Sequence, residues 1–151
     1  MSAGPTTCPT STDPVTLADR LRPVLLHINR HLRRETHTLG VSAGQVSILG
    51  AIRERPGIGV AELASREGTS APSISNHIDR LEAAGLVSRK REDSGDRRRV
   101  GLAVTAEGNR VLRTVRSRRT AWLASRLAGL TPEQRETVAT AIDGLSALVD
   151  R

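Results

Sequence analysis

The sequence predicts a mostly α-helical fold that carries one small β-hairpin, an α+β arrangement within a single domain. Apolar residues recur at helical spacing over most of the chain, and only residues 99–105 alternate as a half-buried strand does. Aromatic residues are nearly absent, since Trp122 stands alone among 151 residues, so the core must be built from Leu, Val, Ile and Ala. That composition suits packed helices.

The N-terminal region divides into a tail and a long helix. Residues 1–13 are rich in Pro, Ser and Thr and are predicted to be disordered. A helix is predicted over residues 14–38, capped by Asp13. Because Pro23 lies inside the pattern, this helix is expected either to be kinked there or to begin only there. Its apolar stripe consists of Leu17, Leu21, Val24, Leu25, Ile28 and Leu32.

Three further helices are predicted before the hairpin. The first is capped by Ser42 and stops at the breaker formed by residues 55–57. The next covers residues 60–66, and the third covers residues 70–84 with Gly85 as its C-terminal cap. Their inward positions are Val46, Leu49, Ile52, Leu63, Ala64, Ile74, Ile78 and Leu81. Two short helices separated by a glycine turn form a helix-turn-helix.

The hairpin follows directly. Residues 86–91 are apolar and then basic, residues 92–96 have turn chemistry, and residues 99–105 alternate around Val100, Leu102 and Val104. A hairpin in this position is the wing of a winged helix-turn-helix.

Two helices complete the predicted fold. One covers residues 106–127, and the last begins at a capping box formed by Thr131 and Gln134. The expected buried side of the first is Val111, Leu112, Val115, Trp122 and Leu123. The expected stripe of the second is Val138, Ile142, Leu145, Leu148 and Val149.

The composition restricts the function classes. The net charge of +7 favours a polyanionic partner such as nucleic acid. The lack of aromatics argues against RNA modules that stack bases. Neither a signal-peptide pattern nor an apolar run of ~20 residues is present, so a cytoplasmic protein without a membrane partner is expected. Catalytic residues, metal sites and cofactors are not predicted: Cys8 is alone, and the His27/His31 pair has Ile28 where a zincin motif has Glu.

The second helix of the helix-turn-helix is the candidate for entering the DNA major groove, which is about 12 Å wide. Its residues off the apolar stripe can hydrogen-bond to base edges or phosphates. They are Ser70, Ser73, Asn76, His77 and Arg80, with Ser75 towards the side. For Ser70 and Ser73, helix capping is an equally good interpretation. For Asn76 and His77, the alternative is an ordinary solvated face.

The wing is the second candidate DNA contact. Its charged residues are Arg89, Lys90, Arg91, Arg97, Arg98 and Arg99 against Glu92, Asp93 and Asp96, a balance of +3. An arginine at a hairpin tip can enter a narrow A·T-rich minor groove. Asp96 lies two residues before Arg98 and can hold its guanidinium in a fixed orientation.

These residues together resemble the MarR family of bacterial regulators. The opening of the family's second helix is similar to Leu39 followed by residues 45–49. The family's third helix is similar to residues 60–64. Residues 70–75 resemble the start of its reading helix, which continues into 79–82 and 85–87. Residues 96–98 match its Asp-x-Arg wing motif, and residues 102–108 its exit from the wing.

The resemblance implies six helices and a wing, with a homodimer formed through residues 14–38 and 106–151 and DNA bound by residues 39–105. Each dimer would bind a palindromic operator on double-stranded DNA, with Arg98 as the minor-groove arginine and Asp96 as its partner. Members of the family are commonly repressors. Many release DNA when a small phenolic or other lipophilic ligand binds, so a small-molecule effector stays open here.

The chain also departs from parts of the family pattern. Peroxide-sensing members carry a reactive cysteine near the first helix, whereas Cys8 lies in the tail and is expected to be inert. A ligand pocket would lie where the first, second and fifth helices meet the reading helix. His27, His31 and Trp122 could line it, but packing in the core or dimer interface is favoured, and the ligand-binding residues are unknown. A low-specificity architectural DNA-binding protein and a protein-binding winged helix are the alternatives.

Overall fold

A computed structural model describes residues 13–91 and 100–149. Within these residues the chain forms α1 (Pro14–His37), α2 (Ala43–Glu54), α3 (Val60–Arg66), α4 (Ala71–Ala83), β1 (Val87–Arg91), β2 (Val100–Val104), α5 (Ala106–Ala128) and α6 (Pro132–Ser146). The predicted fold class, mostly α with one hairpin wing, is confirmed. The predicted disordered tail lies outside the described residues, apart from Asp13.

Side-chain caps explain where the helices begin. The Asp13 carboxylate accepts a hydrogen bond from the Thr16 amide at 3.0 Å, so α1 starts at Pro14. This helix runs through Pro23 to His37, and the alternative of a late start at Pro23 is wrong. Capping boxes open α2 and α6; in the latter, the Thr131 hydroxyl accepts from the Gln134 amide at 3.2 Å.

The core lies under the helix-turn-helix and the base of the wing. The predicted inward residues of α2, α3 and α4 are all buried, and burial of each large one contributes about 1.5–3 kcal/mol. Strand β2 and helix α5 close the core. The largest fully buried apolar side chains are Leu49, Ile52, Ile58, Leu63, Ile74, Ile78, Leu81, Leu102 and Val115.

Strand β2 is hydrogen-bonded on both of its edges. On one side β1 pairs with it antiparallel, in a register from Val87↔Val104 to Arg91↔Val100. On the other side the Leu102 amide donates to the Ile58 carbonyl at 3.1 Å, and the Gly57 amide donates to the Leu102 carbonyl at 2.8 Å. The loop between α2 and α3 therefore holds the base of the wing against the core.

Two glycines are required where backbones approach closely. A Cβ at position 101 would lie 2.9 Å from Cα of Gly57, beneath the loop just described. A Cβ at Gly108, in the first turn of α5, would clash with the Leu86 carbonyl oxygen. Since neither neighbour is a flexible side chain, these contacts fix how β2 and α5 pack.

The terminal helices leave apolar surface exposed in the single chain. Leu112 and Val115 of α5 are buried, but Trp122 is only half-buried and Leu123 is exposed, so the predicted buried side of α5 is wrong for Leu123 in the protomer. Helix α6 buries none of its residues. Exposed large apolar side chains include Val15, Leu17, Val24, Leu25, Leu26, Leu127, Val138, Ile142, Leu145, Leu148 and Val149.

Among the described residues, no helix combines the length and apolar character needed to cross a membrane.

Gly108→Ala tests the close approach of α5 to the wing base. The added methyl group meets a backbone carbonyl, so we expect the free energy of unfolding to fall by about 1–3 kcal/mol in urea denaturation. Gly50→Ala in α2 is the matched control, because its Cβ meets nothing within 4 Å and should leave stability equal or higher. Equal stability of Gly108→Ala and the wild type would contradict the packing described.

Candidate nucleic-acid interface

The turn before α4 places the N-terminus of the reading helix at the surface. Gly68 adopts a positive φ of 62° there, and the Thr69 amide donates to the Ala64 carbonyl at 3.0 Å. The Ser70 hydroxyl then accepts a hydrogen bond from the Ser73 amide at 3.3 Å. Ser70 is thus the N-terminal cap of α4, which agrees with the helix-capping interpretation made from the sequence. The first turn contains no acidic residue, so the positive end of the helix dipole is available to a phosphate.

Four of the predicted contact residues form one stripe on α4, here called the reading stripe: Ser73, Asn76, His77 and Arg80. Their spacing of i, i+3, i+4 and i+7 places them on one helix face. Asn76 and Arg80 are exposed, whereas Ser73 and His77 are half-buried. The buried residues of α4 occupy a different face, so the core holds the helix while the stripe faces outward.

His77 has a distinct hydrogen-bonding state within this stripe. Its Nδ1 is buried and, among the described residues, has no hydrogen-bond partner. Nε2 is therefore the ring nitrogen that can form a hydrogen bond. In the neutral tautomer with its proton on Nε2, the ring is a donor that matches acceptors such as guanine N7 or O6.

Ser75 lies on another face of α4. Its spacing to Asp79 and Glu82 is i, i+4 and i+7, so these three side chains share the face towards β1. Ser75 is half-buried. The structure therefore separates it from the reading stripe.

Arg89 connects the wing to the reading helix. Its Nη2 lies 2.5 Å from the Asp79 carboxylate, and its Nη1 lies 3.3 Å from the Glu82 carboxylate. The Arg89 side chain is 38% exposed, so each pair contributes at most about 1 kcal/mol to stability. This clamp is not among the contacts predicted from the sequence, although two carboxylates one turn apart beside a basic strand are a signal for it.

The remaining wing residues are described only in part. Lys90 is exposed and, as the next residue in β1, points to the opposite face from Arg89. The backbone of Arg91 ends β1, and its side chain lies outside the described residues. Asp96, Arg97, Arg98 and Arg99 also lie outside them, so their predicted roles remain predictions.

A cavity of about 810 Å³ lies between α1, α2 and α5. Its apolar floor includes Val46, Leu112 and Val115, and its walls carry five arginines and two glutamates, a balance of +3. These charged residues are Arg33, Arg53, Arg66, Arg116, Arg119, Glu54 and Glu67. Arg66 and Glu54 pair with each other. The lining is therefore cationic above an apolar base.

The three residues that could line a ligand pocket according to the sequence lie elsewhere. His27, His31 and Trp122 are not part of this cavity but pack on one another. The His31 and Trp122 rings are stacked, with centroids 5.1 Å apart and an interplanar angle of 15°. Of their two sequence interpretations, packing is the one that agrees with the structure.

Comparisons with known proteins agree on one family. The family model described as MarR family matches residues 41–100. An uncharacterized HTH-type transcriptional regulator of Mycobacterium bovis is 32% identical over 134 residues, 89% of this chain and 93% of that protein. A putative transcriptional regulator of Pseudomonas aeruginosa, of known structure, is 28% identical with a TM-score of 0.78, covering 91% and 96% of the two chains.

A third comparison concerns a complex. A mutant of MepR from S. aureus, solved bound to an oligodeoxyribonucleotide, shares the fold with a TM-score of 0.68 and 22% identity, over 88% of this chain and 98% of that one. The relatives are transcriptional regulators rather than enzymes. With a wing, a reading helix and these relatives in agreement, the chain belongs to the MarR family of DNA-binding, winged helix-turn-helix transcriptional regulators.

Proposed function

We propose that the protein is a sequence-specific repressor that binds a palindromic operator as a homodimer. The observation that carries this proposal is the reading stripe, which faces away from the core while Arg89 holds the wing beside it. Asn76 is suited to pair with adenine, and Arg80 with guanine or a phosphate. In this proposal Ser70 and Ser73 lie at the helix N-terminus near phosphates, and Ser75 faces the wing.

The proposed division of labour follows the exposed surfaces. Residues 39–105 would bind DNA, whereas residues 14–38 and 106–151 would form the dimer. Contiguous exposed apolar surface on monomeric proteins is rarely large, and α6 buries none of its residues in the protomer. A second copy of the chain would cover this surface and place two reading helices on one duplex.

The wing would supply the flanking contacts. By the family resemblance, Arg98 enters the minor groove and Asp96 orients it, with Arg91, Arg97 and Arg99 near the phosphates. Arg89 has another role in this proposal: it positions the wing, because two carboxylates of α4 already hold its guanidinium.

Selection of bound fragments from genomic DNA tests the proposal. We expect a palindromic site, two chains per bound duplex, and an affinity at fixed salt at least about 10³-fold above that for unrelated DNA. An architectural protein would instead bind all sequences similarly, with a steep salt dependence. Similar affinities for all fragments would contradict sequence-specific regulation.

Asn76→Ala tests the reading stripe. Loss of a bidentate contact should cost about 1–3 kcal/mol and relax the base preference at one position of each half-site. Lys90→Ala is the control, since an exposed strand lysine should change affinity equally for all sequences. Fluorescence anisotropy with single-base operator variants gives both results. A uniform loss for Asn76→Ala would mark a phosphate contact and refute its base-reading role.

A small anionic effector is supported by the cavity between α1, α2 and α5. Its apolar floor suits an aromatic body, and its cationic walls suit a carboxylate. A ligand bound here would change the contacts of the terminal helices with α2. Helix α2 contributes buried residues to the core under the reading helix. Release from DNA by such a ligand is therefore part of the proposal.

Arg116→Gln tests the effector site. Benzoate should raise the melting temperature of the wild type more than neutral benzamide does, because only benzoate supplies a carboxylate. Loss of one charge-assisted hydrogen bond should weaken benzoate binding by about tenfold. Arg113→Gln is the matched control on α5, since Arg113 does not line the cavity. Equal responses of both variants would contradict this site.

A further inference from the structure

His27 and His31 lie one turn apart on α1, and their ring nitrogens converge. The two Nε2 atoms are 3.3 Å apart. A tetrahedral metal ion with metal–nitrogen bonds of about 2.0–2.1 Å holds two ligand nitrogens roughly 3.3–3.4 Å apart. The separation in this structure therefore equals one edge of a tetrahedral coordination sphere, without any movement of the helix backbone.

The two rings meet edge to face at this contact. Their centroids are 4.8 Å apart and their planes are inclined by 66°. Without an ion, the contact between the two Nε2 atoms is a hydrogen bond whose donor and acceptor depend on the tautomers. An ion bound by both nitrogens would take the place of the shared proton.

Contacts from α5 fix one of the two ligands. The His31 ring stacks on Trp122, and the Arg126 guanidinium lies 5.6 Å from the centroid of the Trp122 ring. His31 is half-buried, whereas His27 is exposed. In the protomer, the pair thus combines a preorganised ligand with an exposed one.

The charges around the pair decide which ions it could hold. Partial burial is the largest cause that lowers the pKa of His31, followed by the nearby charges of His27, Arg34, Arg126 and Arg30. The same arginines repel a cation, and no third His, Cys, Asp or Glu joins the pair within the described residues. Water must therefore complete the coordination, and the affinity is limited.

We propose that His27 and His31 form a two-histidine site for a divalent transition metal of the kind that prefers imidazole, such as Ni²⁺, Cu²⁺ or Zn²⁺. Hard ions such as Mg²⁺ and Ca²⁺ prefer oxygen ligands and are excluded by the donor set. Both ligands lie on α1, so the ion links successive turns of this helix at its contact with α5. The site does not depend on the proposed DNA recognition or on the effector cavity.

Calorimetric titration of Ni²⁺ into the untagged full chain tests the site, with Cys8→Ser as the background to remove thiol binding. We expect one ion per histidine pair. His27→Ala and His31→Ala should each weaken binding by at least about tenfold, since loss of a ligand costs no less than loss of its supporting partner. His37→Ala, at the end of the same helix, is the matched control and should bind as the background does.

Two further measurements distinguish loss of the metal site from loss of the fold. If His31→Ala disturbs α1 through loss of the stacking on Trp122, His27→Ala still tests the site. His27 is exposed, so His27→Ala should preserve the far-ultraviolet circular dichroism of the unsubstituted chain. Electron paramagnetic resonance of the Cu²⁺ form should show two imidazole nitrogens per copper, and one in His27→Ala. Absence of Ni²⁺ binding, background affinity in His27→Ala, or a single nitrogen in the unsubstituted chain would each overturn the proposal.

Discussion

The pairing of Arg89 with Asp79 and Glu82 is the interaction on which the proposed DNA recognition depends most. Helix α4 carries two carboxylates and one arginine, so the reading helix alone is net negative. A helix with that charge would be repelled by the phosphates that it must approach. Arg89 lies against both carboxylates and brings the local balance of charge to zero, while it ties β1 to α4.

The backbone contacts of β2 complete the same arrangement. Leu102 is hydrogen-bonded to residues 57 and 58, and the packing of Gly108 against Leu86 fixes where α5 leaves the wing. The wing is thus held from three sides: by the loop after α2, by α4 and by the start of α5. A base held in this way fixes where β1 and β2 leave the core relative to the reading stripe.

The excess positive charge lies mainly outside the reading helix. Helix α5 alone carries six arginines and one glutamate. Part of this charge lines the cavity between α1, α2 and α5. The net charge of +7, taken from composition, indicated a polyanionic partner correctly. It did not indicate that much of the charge would surround a cavity.

The fold was predictable from the sequence because its signals are local. Caps at Ser42 and Thr131 and the inward residues of α2 to α4 depend on near neighbours in the chain, and the structure confirms them. The Arg89 clamp joins residues ten positions apart on different elements, and the Gly101 contact depends on tertiary packing; neither has a periodic signal. The exposure of α6 could not be predicted from its apolar stripe, because a stripe does not specify whether the same chain or another one covers it.

The role of Arg89 is tested most directly by operator affinity in Arg89→Ala, in Asp79→Asn/Glu82→Gln, and in the combined variant. If Arg89 compensates the carboxylates and positions the wing, Arg89→Ala should weaken binding by about 5- to 10-fold, since each unpaired charge near phosphate costs roughly 1 kcal/mol. The combined variant should then bind about as well as Asp79→Asn/Glu82→Gln does, because Arg89 has no carboxylates left to compensate or to pair with. An equal loss with and without the two carboxylates would show instead that Arg89 contacts DNA itself, and would contradict the account.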